Sequence, residues 1–499
     1  MTTKPLKGRK VLVTAYDLEQ KEHRGIAVYT KSLIRCLQGA GAEVWLLTEY
    51  FDKSSKKELR NLPKSTQKLI HNSRILNSLA LGKVDRPITA LERKNKYARK
   101  AKTIIESYIN VLKNLLLRPR TYRLRNIEHF YLQDLYDNPY VRISRLDYLE
   151  NVTGIVSAPE IYFGSQLAAQ LQKLRPVRID LSGFDAFITT CPLNITPLNV
   201  STFIQTIHDL IPLEYVAHNE DPLIFSHRLQ ACLAASKLFV SQSTANKYNI
   251  FVRETEKSLN FQENNDGDDA KEITIIQSPS LMFSSWGTDN ENRTPDLRPA
   301  THLLRGNSKK SLKPFKYFLF NSSVEARKNL LFLAKAYSES NLYSEGIKLC
   351  VTGKLKKDDY SKALKKIVTY EPGIILTDYI DESAKIDLYL NALGLLSPSL
   401  VEGFGIPVLD SACLGLPTLA SNCESHLEIQ SLHDFREHVQ CLNTIDSREW
   451  GAALQIIANN KQGLADQPVQ TRRQRINRYR RFQSIFTNQL QENLVTLLN

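Results

Sequence analysis

The segment from Ala392 to Gly415 constrains the local fold more tightly than any other part of this chain. Residues 392–401 form an apolar run that reads as a buried strand and its exit. Glu402, Gly403, Phe404, Gly405, Ile406 and Pro407 follow, and then a helix-like stretch over residues 408–414 that stops at Gly415. An acid, two flexible glycines and a proline therefore stand where a strand ends and a helix begins. In an open α/β sheet that edge is where ligands bind. A helix amino terminus that a backbone can approach closely suits a phosphate or a sugar hydroxyl. A second acid, Asp410, lies eight positions beyond Glu402.

The same alternation extends along much of the chain. Residues 10–15 and 42–47 read as parallel strands, with a loop, Gly25 and an apolar-periodic helix between them. Gly25 by itself reads as an ordinary turn residue before that helix. Alternation resumes near residues 184–190, 203–209 and 238–243, with Ser243 as a candidate cap for the next helix. Strands at 317–320, 347–353 and 374–376 mark a second alternating unit. A chain of 499 residues exceeds one ordinary core and fits two α/β domains. The expected division is a first domain over 1–253, a polar connection over 254–315 with insertions and one strand near 273–276, a second domain over 316–470, and a helix over 471–499.

Residues 51 to about 150 interrupt the pattern. Net charge is +14, and residues 51–125 hold 20 Lys or Arg against 5 acids, so this block accounts for the whole excess. Within it, residues 100–117 place Ile104, Ile105, Tyr108, Ile109, Leu112, Leu115 and Leu116 on one helical face. Such a basic amphipathic helix packs on its own domain or docks on an anionic membrane. No nucleic-acid motif surrounds the tyrosines, so nucleic acid is not an expected partner. No apolar run approaches the roughly 20 residues of a spanning helix. The first residues lack a signal-peptide apolar block, so the cytoplasm is expected, with the inner membrane face as a peripheral alternative. The seven cysteines are scattered without a C-x-x-C pair, which argues against a disulfide frame or zinc site.

Four segments resemble the retaining glycosyltransferases of family 4, which have the GT-B fold. Residues 402–410 are similar to that family's Glu-Gly-Phe-Gly-x-Pro-x-x-Glu signature, with Asp410 one methylene shorter than the usual Glu. Residues 415–421 look like the next strand entry, 320–329 like the strand exit and basic turn, and 206–212 like the His-Asp segment. The resemblance implies two Rossmann-like domains with parallel sheets facing a cleft, and a carboxyl-terminal helix crossing back to the first domain. It also implies an enzyme that moves a hexose from a nucleotide diphosphate sugar to a saccharide or lipid-linked acceptor in polysaccharide assembly. The wording of the His-Asp and Arg-Lys segments is most similar to mannosyltransferase-like members.

Carried onto this chain, the resemblance assigns catalytic roles to Glu402, His208, Lys328 and Arg327, and donor contacts to Gly403, Phe404, Gly405, Asp410 and Gly25. Arg327 and Lys328 would meet the diphosphate. A second basic residue often stands six positions before the lysine, where this chain has Ser322. No cofactor is expected. The triplet Asp266-Gly267-Asp268 lies in a polar stretch rather than at a strand end, so no metal is expected either. Two other readings fit the same residues: a non-catalytic GT-B-like scaffold that binds a membrane or partner through its basic segment, and a phosphorylase of the same fold carrying pyridoxal phosphate.

Overall fold

The structure, a computed structural model, describes residues 4–19, 25–50, 59–81, 109, 121–137, 147–171, 176–215, 220–259, 272–275, 277–281, 283, 299, 301–306, 310–432, 434–460 and 462–499. The helix expected over 100–117 and the Asp266-Gly267-Asp268 triplet lie outside them, Ile109 apart.

Among the described residues the first domain carries a sheet of eight strands. These are β1 (Lys10–Thr14), β2 (Glu43–Thr48), β4 (Glu128–Tyr131), β5 (Gly154–Ser157), β7 (Ala186–Thr189), β9 (Thr202–Ile207), β10 (Ser236–Phe239) and β11 (Glu272–Thr274). Their spatial order is β11-β10-β9-β7-β1-β2-β5-β4. Every pairing is parallel except that of β4 with β5. The remaining strands, β3 (Thr121–Arg123), β6 (Val177–Asp180) and β8 (Ile195–Leu198), make a small parallel sheet. Helix α1 (Gly25–Gly39) joins β1 to β2, and α2 (Lys64–Leu81) follows. Central strands such as Val11, Leu12 and Val13 are wholly buried, as a parallel sheet covered on both faces requires.

Two details differ from the sequence reading. Alternation resumes at β5 rather than near residue 184, and β4, within the interruption expected over 51 to about 150, closes one edge of the main sheet. The short, polar-flanked strands gave too weak a period-2 signal to be seen. The helix α3 (Gln242–Leu259) is capped by Ser241, whose Oγ accepts the Thr244 N–H at 3.0 Å. Ser243 falls inside the helix, with its hydroxyl buried and unpartnered.

Among the described residues the second domain holds one parallel sheet of six strands. They are β12 (Tyr317–Asn321), β13 (Lys348–Thr352), β14 (Ile374–Leu376), β15 (Gly394–Ser397), β16 (Thr418–Ser421) and β17 (Val439–Leu442), in the order β14-β13-β12-β15-β16-β17. This is the doubly wound order, whose switch point falls between β12 and β15. Helices α4 (Leu330–Glu339), α5 (Glu382–Asn391), α6 (Ile406–Leu414) and α7 (Glu424–Ser431) connect its strands.

The last helix, α8 (Pro468–Leu498), ties the halves together. Its Arg475 donates to the carbonyls of Leu390 and Ala392 at the α5 carboxyl end. Ile476, Tyr479, Phe482, Phe486 and Leu490 are buried along one face. At about 1.5–3 kcal/mol for each fully buried apolar side chain, this face is a strong gross contribution to holding the domains together. Further along, the Cys36 thiol of α1 donates to the Thr487 carbonyl at 3.6 Å. The helix thus crosses from the second domain to the first, completing the GT-B arrangement.

Candidate functional site

The domains enclose a cleft of about 2090 Å³, lined by Gly25, His208, Arg327, Lys328, Glu402, Gly403, Phe404, Gly405 and Asp410 among others. All nine residues singled out from the sequence therefore face one cavity. Nine Lys or Arg and six carboxylates line it, so its field favours anions.

The chemistry concentrates at the switch point. After β12 the chain makes a tight turn over Ala326–Lys328, and Asn329 in left-handed conformation starts α4. After β15 it runs to Glu402. Adjacency of the two strands brings their exits together, and the Leu400 N–H donates to the Arg327 carbonyl at 2.8 Å. The Lys328 ammonium donates to Glu402 Oε1, and Arg327 Nη1 donates to Oε2 at 3.3 Å. Glu325 takes Arg327 Nε at 3.2 Å and Lys356 Nζ at 2.7 Å. Burial pushes the Glu402 carboxyl up, but the two cations outweigh it and hold the group at about 2. Burial also lowers the Lys328 ammonium, against the pull of Glu402. The five groups make an ion cluster with one net positive charge, nearly dry at the Lys328–Glu402 pair and open to solvent at Lys356, in place of the helix-capping role an acid there would otherwise have.

Glycines at 403 and 405 are required by space and by backbone. A Cβ at Gly403 would stand 2.3 Å from the His208 carbonyl oxygen in the other domain. Gly405 has φ +104° and caps α6, and a Cβ there would meet His426 Cδ2 at 2.9 Å. The Gly403 carbonyl accepts Ser241 Oγ at 2.8 Å and Thr244 Oγ1 at 3.1 Å. Nearby, Glu428 caps the α3 amino terminus from across the domain boundary, taking the N–H groups of Gln242 and Ser243 at 2.8 and 3.0 Å. The turn is thus built against the first domain.

His208 follows β9 and lies edge-on to the Tyr29 ring, with centroids 4.9 Å apart. Its Nε2 stands 2.8 Å from the Thr190 carbonyl, which only accepts, so Nε2 carries the proton and Nδ1 is left as an acceptor. Burial lowers its pKa to about 4, which keeps the ring neutral. Gly25 opens α1 and approaches Ile406 of α6, where a Cβ would sit 3.6 Å from Cδ1.

Asp410 lines the cleft but is 1% exposed, and both its oxygens are engaged. Oδ1 accepts the Ser280 N–H at 2.6 Å and the Tyr479 hydroxyl at 2.8 Å, while Oδ2 accepts Ser280 Oγ at 2.5 Å. It ties the interdomain connection to α6 and α8. Ser322 also lines the cleft, and the nearby cations come instead from the β13 exit as Lys354, Lys356 and Lys357.

Sequence reasoning missed Glu325, Lys356, Glu428 and His426. His426 is fully buried beneath the 402–405 turn, with Nδ1 3.0 Å from Ser421 Oγ. Only Glu325, two positions before Arg327 in one tight turn, carried a local signal. Among the described residues no three His, Cys, Asp or Glu side chains gather to hold a metal, and no helix is long and apolar enough to cross a membrane.

Residues 306–463 match the family model for glycosyl transferases group 1. The serotype-specific mannosyltransferase WbdA of Escherichia coli is 25% identical over 260 residues, 50% of this chain and 28% of that protein. The O-antigen chain mannosyltransferase B of Escherichia coli is 30% identical over 115 residues, 23% of this chain and 30% of that protein. The chain thus spans under a third of the length of these two relatives. Among solved structures, sucrose-phosphate synthase from Thermosynechococcus elongatus aligns over 98% of both chains at 13% identity and TM-score 0.49. Anabaena HepE in complex with UDP aligns over 98% of this chain and all of its own at 10% identity and TM-score 0.49.

Proposed function

With residues 306–463 a group 1 glycosyltransferase domain, we infer that the chain is a retaining hexosyltransferase, with mannose as the first donor sugar to test. It moves the hexose from a nucleoside diphosphate sugar to a saccharide or lipid-linked saccharide, in polysaccharide assembly, without a metal or other cofactor. The observation that carries this reading is the buried Lys328–Glu402–Arg327 cluster at the switch point, directly beside a glycine turn and a helix amino terminus. The names of the two mannosyltransferase relatives support the choice of mannose.

Breaking an anomeric carbon–phosphate bond builds negative charge on the leaving diphosphate and positive charge on the sugar ring. Lys328, Arg327 and Lys356 are fixed cations on the first, and the Gly403–Gly405 turn adds backbone N–H groups. Glu402, ionised even in acid, faces the second. When the diphosphate arrives it takes over part of the cation contacts that Glu402 now holds, which frees the carboxylate to hydrogen-bond the sugar. Neutral His208 accepts from a sugar hydroxyl through Nδ1 and does not act as the base. The leaving phosphate takes the acceptor proton on the same face, which retains configuration. A ribose hydroxyl would replace Ser280 Oγ on Asp410. The chain would work in the cytoplasm, and the basic residues 51–125 would give it a peripheral hold on the inner membrane face.

A panel of labelled nucleotide sugars tests this. Binding and turnover of one donor, lost in Glu402→Ala and Lys328→Ala, is the expected result. Failure to bind any donor would leave the scaffold reading. Flotation with anionic liposomes, with and without residues 51–125, tests the membrane contact.

A further inference from the structure

We propose that a groove between α1 and α8 is an acceptor subsite that takes an anionic group carried on a glycan, at a distance from the hydroxyl that reacts. The proposal rests on the glycosyltransferase reading for its acceptor, and its residues lie outside the donor cluster.

Space is the first observation. The cleft of about 2090 Å³ exceeds the roughly 300–1,000 Å³ that a pocket for a drug-sized ligand needs, so a donor leaves room for a second, extended ligand. Direction is the second. Helix α1 starts at Gly25 against Ile406 of the donor turn, and by Cys36 it touches Thr487 of α8. At 1.5 Å per residue, Lys31 and Arg35 stand about 9 and 15 Å along α1 from the donor turn. A single sugar ring at the transfer point does not reach that far, but an oligosaccharide does.

Composition is the third. Helix α8 buries an apolar face, yet Arg480, Gln483, Ser484, Thr487 and Asn488 line the cleft. Their i, i+3, i+4, i+7, i+8 spacing makes them one stripe about 12 Å long. The opposite wall carries Lys31 and Arg35 one turn apart, with Ser32 between them. Lys31 lies over the Tyr148 ring at 5.0 Å from its centroid, which fixes where its charge sits. Glu150 lines the cleft as well, so among the described residues Lys31, Arg35 and Arg480 and one carboxylate line this end. Amides and hydroxyls in a row suit sugar hydroxyls, and cations among them suit a phosphate, a diphosphate or a sugar carboxylate. Neither wall shares a side chain with the Lys328–Glu402 cluster.

The test is direct binding to the full chain with GDP or UDP saturating the donor site. Three probes share one oligomannoside: neutral, with a reducing-end phosphate, and with a terminal uronate. Both charged probes, or the one whose charge matches, should bind at least about tenfold more tightly than the neutral one, and the comparison separates phosphate from carboxylate. Lys31→Ala/Arg35→Ala should abolish the preference and Arg480→Ala should reduce it, with nucleotide affinity unchanged as the control for folding. Equal affinity for charged and neutral probes, displacement of the charged probe by the nucleotide, or a preference that survives in the variants would overturn the proposal. A chain that binds no nucleotide refutes the donor reading, while the glycan titrations still judge the subsite.

Discussion

Replacing Lys328 by Met removes one charge from the ion cluster and keeps the length of the side chain. The Lys328 side chain is 6% exposed and that of Glu402 is 10% exposed, so the ammonium and carboxylate face each other almost without water. Removing one partner of a buried pair costs about 3–5 kcal/mol when the other charge is stranded. Here Arg327 still reaches Glu402 at 3.3 Å, so we expect the low end, about 3 kcal/mol. Catalysis should suffer separately. Loss of one preorganised donor at a developing anion lowers kcat by about 10²–10³. The double variant Lys328→Met/Glu402→Gln separates the two effects. With both charges gone, stability should return to within about 1 kcal/mol of the parent, while activity stays lost. Urea denaturation of the four proteins gives the coupling energy, and initial transfer rates give the kinetic effect. Single variants that keep kcat within about fivefold, well short of the loss of one such donor, would show that the cluster only holds the fold. A coupling below about 0.5 kcal/mol, the scale of an exposed pair, would refute the buried geometry.

Other outcomes follow from the same geometry. Glu402 titrates at about 2 in the fold against an ordinary 4.5, so its contribution to stability is complete above pH 4.5 and is lost as pH falls towards 2; Glu402→Gln should flatten that acid limb in denaturation measured against pH. His208 titrates at about 4 instead of 6.5, so it stays neutral while the unfolded chain protonates, and stability falls as pH drops from 6.5 to 4; an imidazole NMR titration with a midpoint near 6.5 would contradict this. Gly403→Ala would drive a Cβ to 2.3 Å from the His208 carbonyl, so small-angle scattering should show an opened cleft and activity should fall at least tenfold, about 1.4 kcal/mol in barrier; an unchanged radius of gyration with normal rates would be the contrary result. Asp410→Ala strands the Ser280 and Tyr479 donors and should destabilise by about 2–4 kcal/mol, whereas Asp410→Asn, which still accepts on one side and donates to Ser280 Oγ, should cost about 1 kcal/mol; a calorimetric comparison of the two decides.

Local signals made much of the second domain legible. Gly415, with φ +69°, ends α6 where the glycine stood in the sequence, and Pro407 falls in its first turn. Strands β12, β13, β14 and β15 lie within a few residues of the apolar runs that announced them. At the edges of the first domain, β11 lies beside the strand expected at 273–276, whereas β4 was not legible. Strand β4 has four residues, and it exists because β5 supplies its hydrogen bonds.

The residues themselves determined which groups this chain brings to its strand ends: an acid and two glycines at one strand exit, a basic pair after another, and a helix start beside the first. Such features depend on neighbours within one turn or one strand, so the chain order contains them. Tertiary structure alone decided who meets whom. Glu402 finds Lys328 across 74 positions because β12 and β15 are neighbours in the sheet. Asp410 turns to Ser280 and Tyr479, 130 and 69 positions away, because α8 and the connection pack over α6. Those pairings come from the closing of the sheet and the crossing of the last helix, long-range events that leave no trace in local periodicity.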